Sequence, residues 1–247
     1  MWPRRLKQWI ALLPLTLVVT CDAPGHEHRA PEQRPPAARA ARLVPRPVIL
    51  GRREWHADEK AVREKPVYSG PVEVIFVHHT THSDKYDCKR DVPEMLRSME
   101  EHHIHDMGWN DLGYNFVVDR CGNIYEGRRG GIDRPVRGAH TKGFNVRSAG
   151  IAVLGSFANG SKPPRAMLKA IAAIAAWKLA PGVDPQGRAK LTSTSDESRY
   201  RKGTSVELRT ISGHRDGYDT DCPGAELYAA LPWIRKTAAR MRYDAAH

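Results

Sequence analysis

The sequence predicts an α/β fold in which a central, mixed β-sheet is flanked by α-helices. Residues 73–78 and 150–154 are short apolar runs, the first rich in β-branched and aromatic residues, as is typical of buried strands. Each run is followed by a segment with apolar residues at helical spacing. Because strands alternate with helices along the chain, the helices are expected to cover the faces of one sheet.

The predicted strand at residues 73–78 ends in two consecutive histidines, His78 and His79. Successive side chains of a strand point to opposite faces, so we expect these two rings to point apart. A helix is predicted to follow and to end near residues 107–108. We expect Asp91 to cap its start, with Pro93 in the first turn.

A β-hairpin is predicted next. Residues 114–118 and 123–126 are strand-like runs that surround a polar turn, in which Gly122 permits a positive φ. The buried strand at residues 150–154 follows this hairpin.

The second half of the chain is predicted to hold two helices with strands between them. Pro163 and Pro164 open an alanine-rich apolar helix over residues 167–179. Strands are expected at residues 189–192 and 206–208. A last helix is predicted to start at Pro223.

The N-terminal region is predicted to direct export. Residues 1–21 have a basic head and a short apolar run, which form a signal peptide that is too short for a membrane anchor. Cys21 is a candidate for lipidation, and plain secretion stays open as the alternative. Residues 22–47 are rich in Pro, Ala and Arg, so we expect a flexible tether before a domain at residues 48–243.

The chain is basic, with a formal net charge of +11. A basic surface of this kind can bind polyanions, but an exported protein is not expected to meet nucleic acid. We therefore expect the acidic components of a cell envelope as partners, attachment to the membrane only through a lipidated Cys21, and a monomer.

Four cysteines require assignment. Exported proteins favour disulfides, and the economical assignment pairs Cys88 with Cys121 and leaves Cys222 as a ligand. A pairing that involves Cys222 remains open.

A metal centre is predicted from three residues. His214 and Cys222 stand eight residues apart in a polar loop, and His78 ends a buried strand, where sites gather in α/β folds. Two imidazoles and one thiolate leave the fourth position of a zinc ion open, which is the catalytic pattern. The alternative to a metal centre is that His78 is an ordinary core histidine and Cys222 a free, buried cysteine. Asp216 is expected to orient His214 or the loop.

Five ordered motifs carry a family resemblance. Residues from about 48 to 240 resemble the peptidoglycan recognition protein family, and in particular zinc-dependent N-acetylmuramoyl-L-alanine amidases of type 2 and actinobacterial kind. The motifs are F-V-H-H-T (76–80), G-W-N-D-L-G-Y-N-F (108–116), I-Y-E-G-R (124–128), G-A-H-T-x-G-F-N (138–145) and G-H-R-D through T-x-C-P-G (213–224).

The resemblance implies a function and site residues. His78, His214 and Cys222 would bind Zn²⁺, and a zinc-activated water would attack the amide between the lactyl group of N-acetylmuramic acid and L-alanine. Tyr114 and Thr220 would assist this reaction. The residues expected to contact substrate are His140, Asn145 and Arg128. The rival hypothesis is a non-catalytic peptidoglycan sensor or wall-tethering module; members that only bind typically lack the cysteine.

Overall fold

A five-stranded mixed sheet forms the centre of the fold. A computed structural model describes residues 44–158 and 160–247. The seven strands are β1 (Val74–His79), β2 (Phe116–Val118), β3 (Ile124–Glu126), β4 (Ser148–Val153), β5 (Arg188–Thr192), β6 (Ser205–Arg209) and β7 (Ile211–Gly213). The main sheet has the order β3-β2-β4-β1-β7, with only β2 and β3 antiparallel. Strands β5 and β6 form a separate antiparallel hairpin.

Three α-helices flank the main sheet, which confirms the predicted α/β class. They are α1 (Val92–Glu101), α2 (Arg165–Lys178) and α3 (Ala225–Ala246), and α1 continues as a π-helical turn at His102–Asp106. The apolar residues of α2 and α3 share one core with one face of the sheet. On the other face, α1 packs near β2 and β3, whereas the hairpin β5–β6 packs near β1.

Side chains alternate along β1 between the two faces. Ile75 and Val77 belong to the core under α2 and α3, whereas Val74 and Phe76 pack towards the β5–β6 hairpin. The side chain of His78 lies on the same face of β1 as those of Val74 and Phe76. The ring of His79 points the other way, as predicted, and its Nδ1 accepts a hydrogen bond from the backbone N–H of Phe157, a residue of the main core (3.3 Å).

Two details differ from the sequence-based expectations. Strand β7 was not predicted, because three residues are too few to show alternation; its pairing with β1 defines it. The prediction that the Asp91 side chain caps α1 is wrong. Asp91 occupies the N-cap position, but its carboxylate accepts the backbone N–H of Asp87 (2.8 Å) and makes no capping bond.

The packed part of the chain begins earlier than residue 48. Val44 packs against the main core, and Arg46 forms an exposed salt bridge with Asp133 (3.0 Å). The predicted signal peptide with Cys21, and residues 22–43 of the predicted tether, lie outside the described residues. Within the described parts of the chain, no helix has both the length and the apolarity needed to cross a bilayer.

Candidate metal centre

Three donor side chains converge at the carboxyl end of β1. His78 is the fifth residue of this strand, and His214 directly follows β7, which pairs in parallel with β1. Parallel neighbours bring both histidines to one edge of the sheet, and their ring centroids lie 4.4 Å apart. Cys222 completes the group, so that one donor atom from each residue lies within 4.8 Å of the other two.

Hydrogen bonds fix the loop that carries His214 and Cys222. The backbone N–H of Arg215 donates to the carbonyl of Cys222 (2.9 Å), which closes the loop. The carboxylate of Asp216 accepts the backbone N–H of Gly213 (2.8 Å) and the hydroxyl of Tyr228 (2.7 Å). Asp216 therefore holds the loop between β7 and α3, as its position in the sequence suggested.

The donor set fits a zinc ion. The Cys222 Sγ lies 3.9 Å from His78 Nδ1, close to the separation of about 3.6 Å that Zn–S and Zn–N bonds at a tetrahedral angle require. Burial lowers the pKa of His78 well below its ordinary value and that of His214 to about 4, so both imidazoles are neutral. Burial also raises the pKa of the Cys222 thiol to about 12, so its thiolate form needs a cation beside it.

Tyr114 lies beside this group. Its ring centroid is 5.1 Å from that of His78. Burial, and then the nearby Cys222, raise the pKa of Tyr114 above its ordinary value, so the phenol keeps its proton and can donate a hydrogen bond.

His140 and Thr141 form the wall behind His78. The His140 ring lies 5.3 Å from that of His78. The buried Thr141 hydroxyl contacts His140 Nδ1 (3.1 Å) and His78 Nε2 (3.5 Å). Nε2 of His140 is buried and has no hydrogen-bond partner among the described residues. Gly150 allows this arrangement, because a Cβ there would meet the His140 ring at 2.4 Å.

The other predicted site residues have different surroundings. Thr220 belongs to the loop, where its hydroxyl oxygen accepts the backbone N–H of Cys222 (3.2 Å). The amide oxygen of Asn145 accepts the backbone N–H groups of His140 and Thr141 (both 2.9 Å), so it shapes their turn. Arg128 is half-buried and donates to the carbonyl of Leu112 (3.2 Å).

A cavity of about 560 Å³ adjoins the centre. Tyr114 and His79 line it, and the backbone N–H of His79 donates to Cys222 Sγ (3.3 Å), so the donor group lies directly behind a lining residue. The opposite wall comes from α1 and the π-helical turn, including His102 and His103. Sequence reasoning did not identify this wall, nor the role of Thr141, although Thr141 stands in one of the family motifs.

The disulfide partners are Cys88 and Cys121, with their Cα atoms 6.3 Å apart. The bond ties the segment before α1 to the turn between β2 and β3. Cys222 forms no disulfide, so it remains available as a ligand.

Comparisons with known proteins agree with this architecture. The profile of the N-acetylmuramoyl-L-alanine amidase family matches residues 68–225. Peptidoglycan-recognition protein 1 of Holotrichia diomphalia is 31% identical over 163 residues, which are 63% of this chain and 79% of that protein. The human N-acetylmuramoyl-L-alanine amidase is 30% identical over 198 residues, which are 78% of this chain but only 29% of the human protein.

Solved structures show the same fold. Drosophila PGRP-LB is 26% identical with a TM-score of 0.56, over 74% of this chain and 92% of that one. Peptidoglycan recognition protein-LE, solved in complex with tracheal cytotoxin, a monomeric diaminopimelic acid-type peptidoglycan, gives the same identity and TM-score over 75% of this chain and 92% of that one. These matches confirm the family resemblance: the chain belongs to the family of peptidoglycan recognition proteins and type 2 N-acetylmuramoyl-L-alanine amidases.

Proposed function

We propose that this protein is an exported, zinc-dependent N-acetylmuramoyl-L-alanine amidase. It hydrolyses the amide bond between the lactyl group of N-acetylmuramic acid and the L-alanine of peptidoglycan. The observation that carries this proposal is the convergence of His78, His214 and Cys222 within 4.8 Å, next to a cavity that the neighbouring His79 and Tyr114 line. Three protein ligands leave the fourth tetrahedral position of zinc open, as catalytic sites require.

The chain's own residues provide the remaining requirements of amide hydrolysis. His78, His214 and Cys222 would hold a zinc ion, which would supply a water of lowered pKa and would polarise the scissile carbonyl. Tyr114 keeps its proton and donates a hydrogen bond to the oxyanion that develops on the substrate. Thr220 uses its oxygen as an acceptor within the loop, so its hydroxyl proton is left to donate to the same oxyanion.

Export is part of the proposal. Disulfides persist in oxidising compartments, and the Cys88–Cys121 bond is consistent with secretion or with residence in the cell envelope. In this reading residues 1–21 direct export, with lipidation at Cys21 as an option. Residues 22–43 then tether the amidase domain, whose packed part begins at Val44.

Peptidoglycan digestion with mass analysis of the products tests the activity. The zinc-loaded protein should release stem peptides with a free L-alanine amino terminus. Cys222→Ser should lose both zinc and product. Tyr114→Phe should retain zinc while turnover falls by about 10²–10³-fold, the usual cost of removing one oxyanion donor. Tyr243→Phe is the matched control, because Tyr243 is 64% exposed on α3.

The result that would refute the amidase is equally specific. If the zinc-loaded protein binds peptidoglycan tightly but every stem peptide stays attached to glycan, the protein is a sensor or a tethering module.

A further inference from the structure

A second cavity, of about 510 Å³, is lined in part by Arg215 and Asp216 of the His214 loop. We call it the arginine cavity, because five arginines line it together with two carboxylates and two tyrosines. None of its residues lines the cavity beside Tyr114. The arginines come from β5, β6, α3 and the connecting loops: Arg188, Arg199, Arg209, Arg215 and Arg235.

The positive charge of this cavity is only partly neutralised by the protein. Within residues 44–158 and 160–247, none of the five arginines forms a salt bridge. The carboxylates in the lining are Glu207 and Asp216, and Asp216 already accepts hydrogen bonds from Gly213 and Tyr228. Arg52, by contrast, contacts three carboxylates elsewhere in the fold.

Two observations indicate that the protein compensates this charge incompletely. Burial lowers the pKa of Arg235, and repulsion by Arg209 and Arg188 lowers it further, although Asp216 opposes this shift. The Nε atom of Arg215 is buried and has no hydrogen-bond partner among the described residues. Arg215 and Arg235 are half-buried, and polar atoms that are removed from water are normally paired.

Backbone contacts hold the guanidinium groups in place without neutralising them. Arg188 and Arg209 each donate to a backbone carbonyl at 3.2 Å, and Arg235 donates to the carbonyl of Ile211 at 2.8 Å. The guanidinium of Arg215 lies over the ring of Tyr228, 4.8 Å from its centroid. Preorganised guanidinium groups lose less entropy when they bind an anion.

We propose that the arginine cavity binds a phosphate-bearing anion. A carboxylate is planar and is satisfied by the fork of one arginine, whereas a tetrahedral phosphate with up to two charges accepts hydrogen bonds from several directions. The arginines of this cavity belong to two strands, one helix and two connecting segments, so several guanidinium groups can share one anion. The group is common to lipid headgroups and soluble phosphates, and the assignment does not depend on the amidase activity.

Calorimetric titration of the zinc-loaded protein with pyrophosphate tests the site, with sodium chloride keeping the ionic strength constant. The test variant is the pair Arg188→Gln and Arg209→Gln. The matched control is the pair Arg201→Gln and Lys202→Gln, which removes the same charge from the turn of the same hairpin. All four residues are exposed, so both variants should fold.

We expect saturable binding that weakens at least about tenfold in the test variant and stays within about twofold of the parent in the control. Equal weakening in both variants would overturn the proposal, because diffuse charge would explain it. Undiminished binding in the test variant would also overturn it, since the anion would then sit elsewhere, including on zinc. Tighter binding of citrate than of pyrophosphate would show a carboxylate site instead.

Sedimentation with vesicles distinguishes the source of the phosphate. The cavity recognises a lipid headgroup if the parent protein sediments with phosphatidylglycerol vesicles but not with phosphatidylcholine vesicles, and if the test variant sediments with neither. Pyrophosphate binding without sedimentation on either vesicle assigns the site to a soluble phosphate. Both outcomes support a phosphate site, whereas equal sedimentation of test and control variants on phosphatidylglycerol excludes the lipid.

Discussion

Replacement of Arg52 by methionine should leave two carboxylates in the protein interior without their cation. Arg52 is 6% exposed and donates to Glu100 (2.6 Å) and Asp111 (3.1 Å), each of which is 2% exposed. A third partner, Glu59, is half-exposed and can find water. Asp111 also accepts the backbone N–H of Leu112, so the arginine orders the segment that leads to Tyr114.

The expected loss of stability is about 4 kcal/mol, since removal of one partner from a buried ion pair costs about 3–5 kcal/mol. Backbone hydrogen bonds limit the loss of stability, because Glu100 still accepts the N–H of Asp58 and Asp111 still accepts the N–H of Arg129. The double variant Arg52→Met with Glu100→Met should recover part of the loss, because it removes one of the stranded carboxylates together with its desolvation cost.

The loss should also depend on pH. Burial raises the pKa of Glu100 above its ordinary value even beside Arg52, and removal of the arginine raises it further. The folded variant then binds a proton at a pH where the unfolded chain does not, so its stability relative to the parent increases as the pH falls towards about 5.

Urea unfolding at pH 7 and pH 5 measures both effects, with the exposed neighbour Arg53→Met as control. A cost below about 1 kcal/mol at pH 7, or an equal cost at both pH values, would refute this reasoning, since surface ion pairs behave in that way.

Three further outcomes are expected. Replacing both Cys88 and Cys121 by serine should lower the free energy of unfolding by about 3–4 kcal/mol in urea, because the bond closes a loop over a sequence separation of 33; an unchanged midpoint would contradict this. Thr141→Val should weaken zinc binding by about 10–100-fold in chelator competition, because the buried hydroxyl of Thr141 contacts His78 Nε2. An unaltered zinc affinity would show that Thr141 only packs beside His78. Burial lowers the pKa of His103 to about 4, so the stability it contributes above pH 6.5 is lost as the pH falls towards 4. Between pH 7 and pH 5 the parent should therefore lose about 2 kcal/mol more stability than His103→Gln, and equal losses in urea unfolding would contradict this.

The sequence predicted those features that depend on local pattern. Strand β1 is an unbroken run of buried residues, and α2 shows helical spacing between proline signals, so both were recognisable. His78 was identifiable as a ligand candidate because it ends such a strand, and the His214–Cys222 spacing supplied its partners.

Features that depend on tertiary contacts could not be predicted in this way. Strand β7 exists because β1 offers it a parallel edge. Asp91 has a favourable cap position, but the N–H of Asp87 competes successfully for its carboxylate. The arginine cavity is assembled from distant segments, and each of its arginines read alone resembles an ordinary solvated charge. The net charge of +11 indicated an excess of cations without showing where they meet.

The alternation along β1 has a consequence for how this fold can evolve. His78 and His79 are adjacent and chemically identical, but His78 faces the other candidate ligands whereas His79 faces the main core. Only the alternation of side chains along the strand decides which of the two faces the ligands. A deletion or insertion of one residue inside β1 would exchange His78 and His79, whereas a change of two residues would preserve their assignment. Changes of length before Val74 leave parity intact, because pairing with β4 and β7 sets the register. The approaches to this strand are therefore free to vary in length, but the strand itself is not free to change by a single residue.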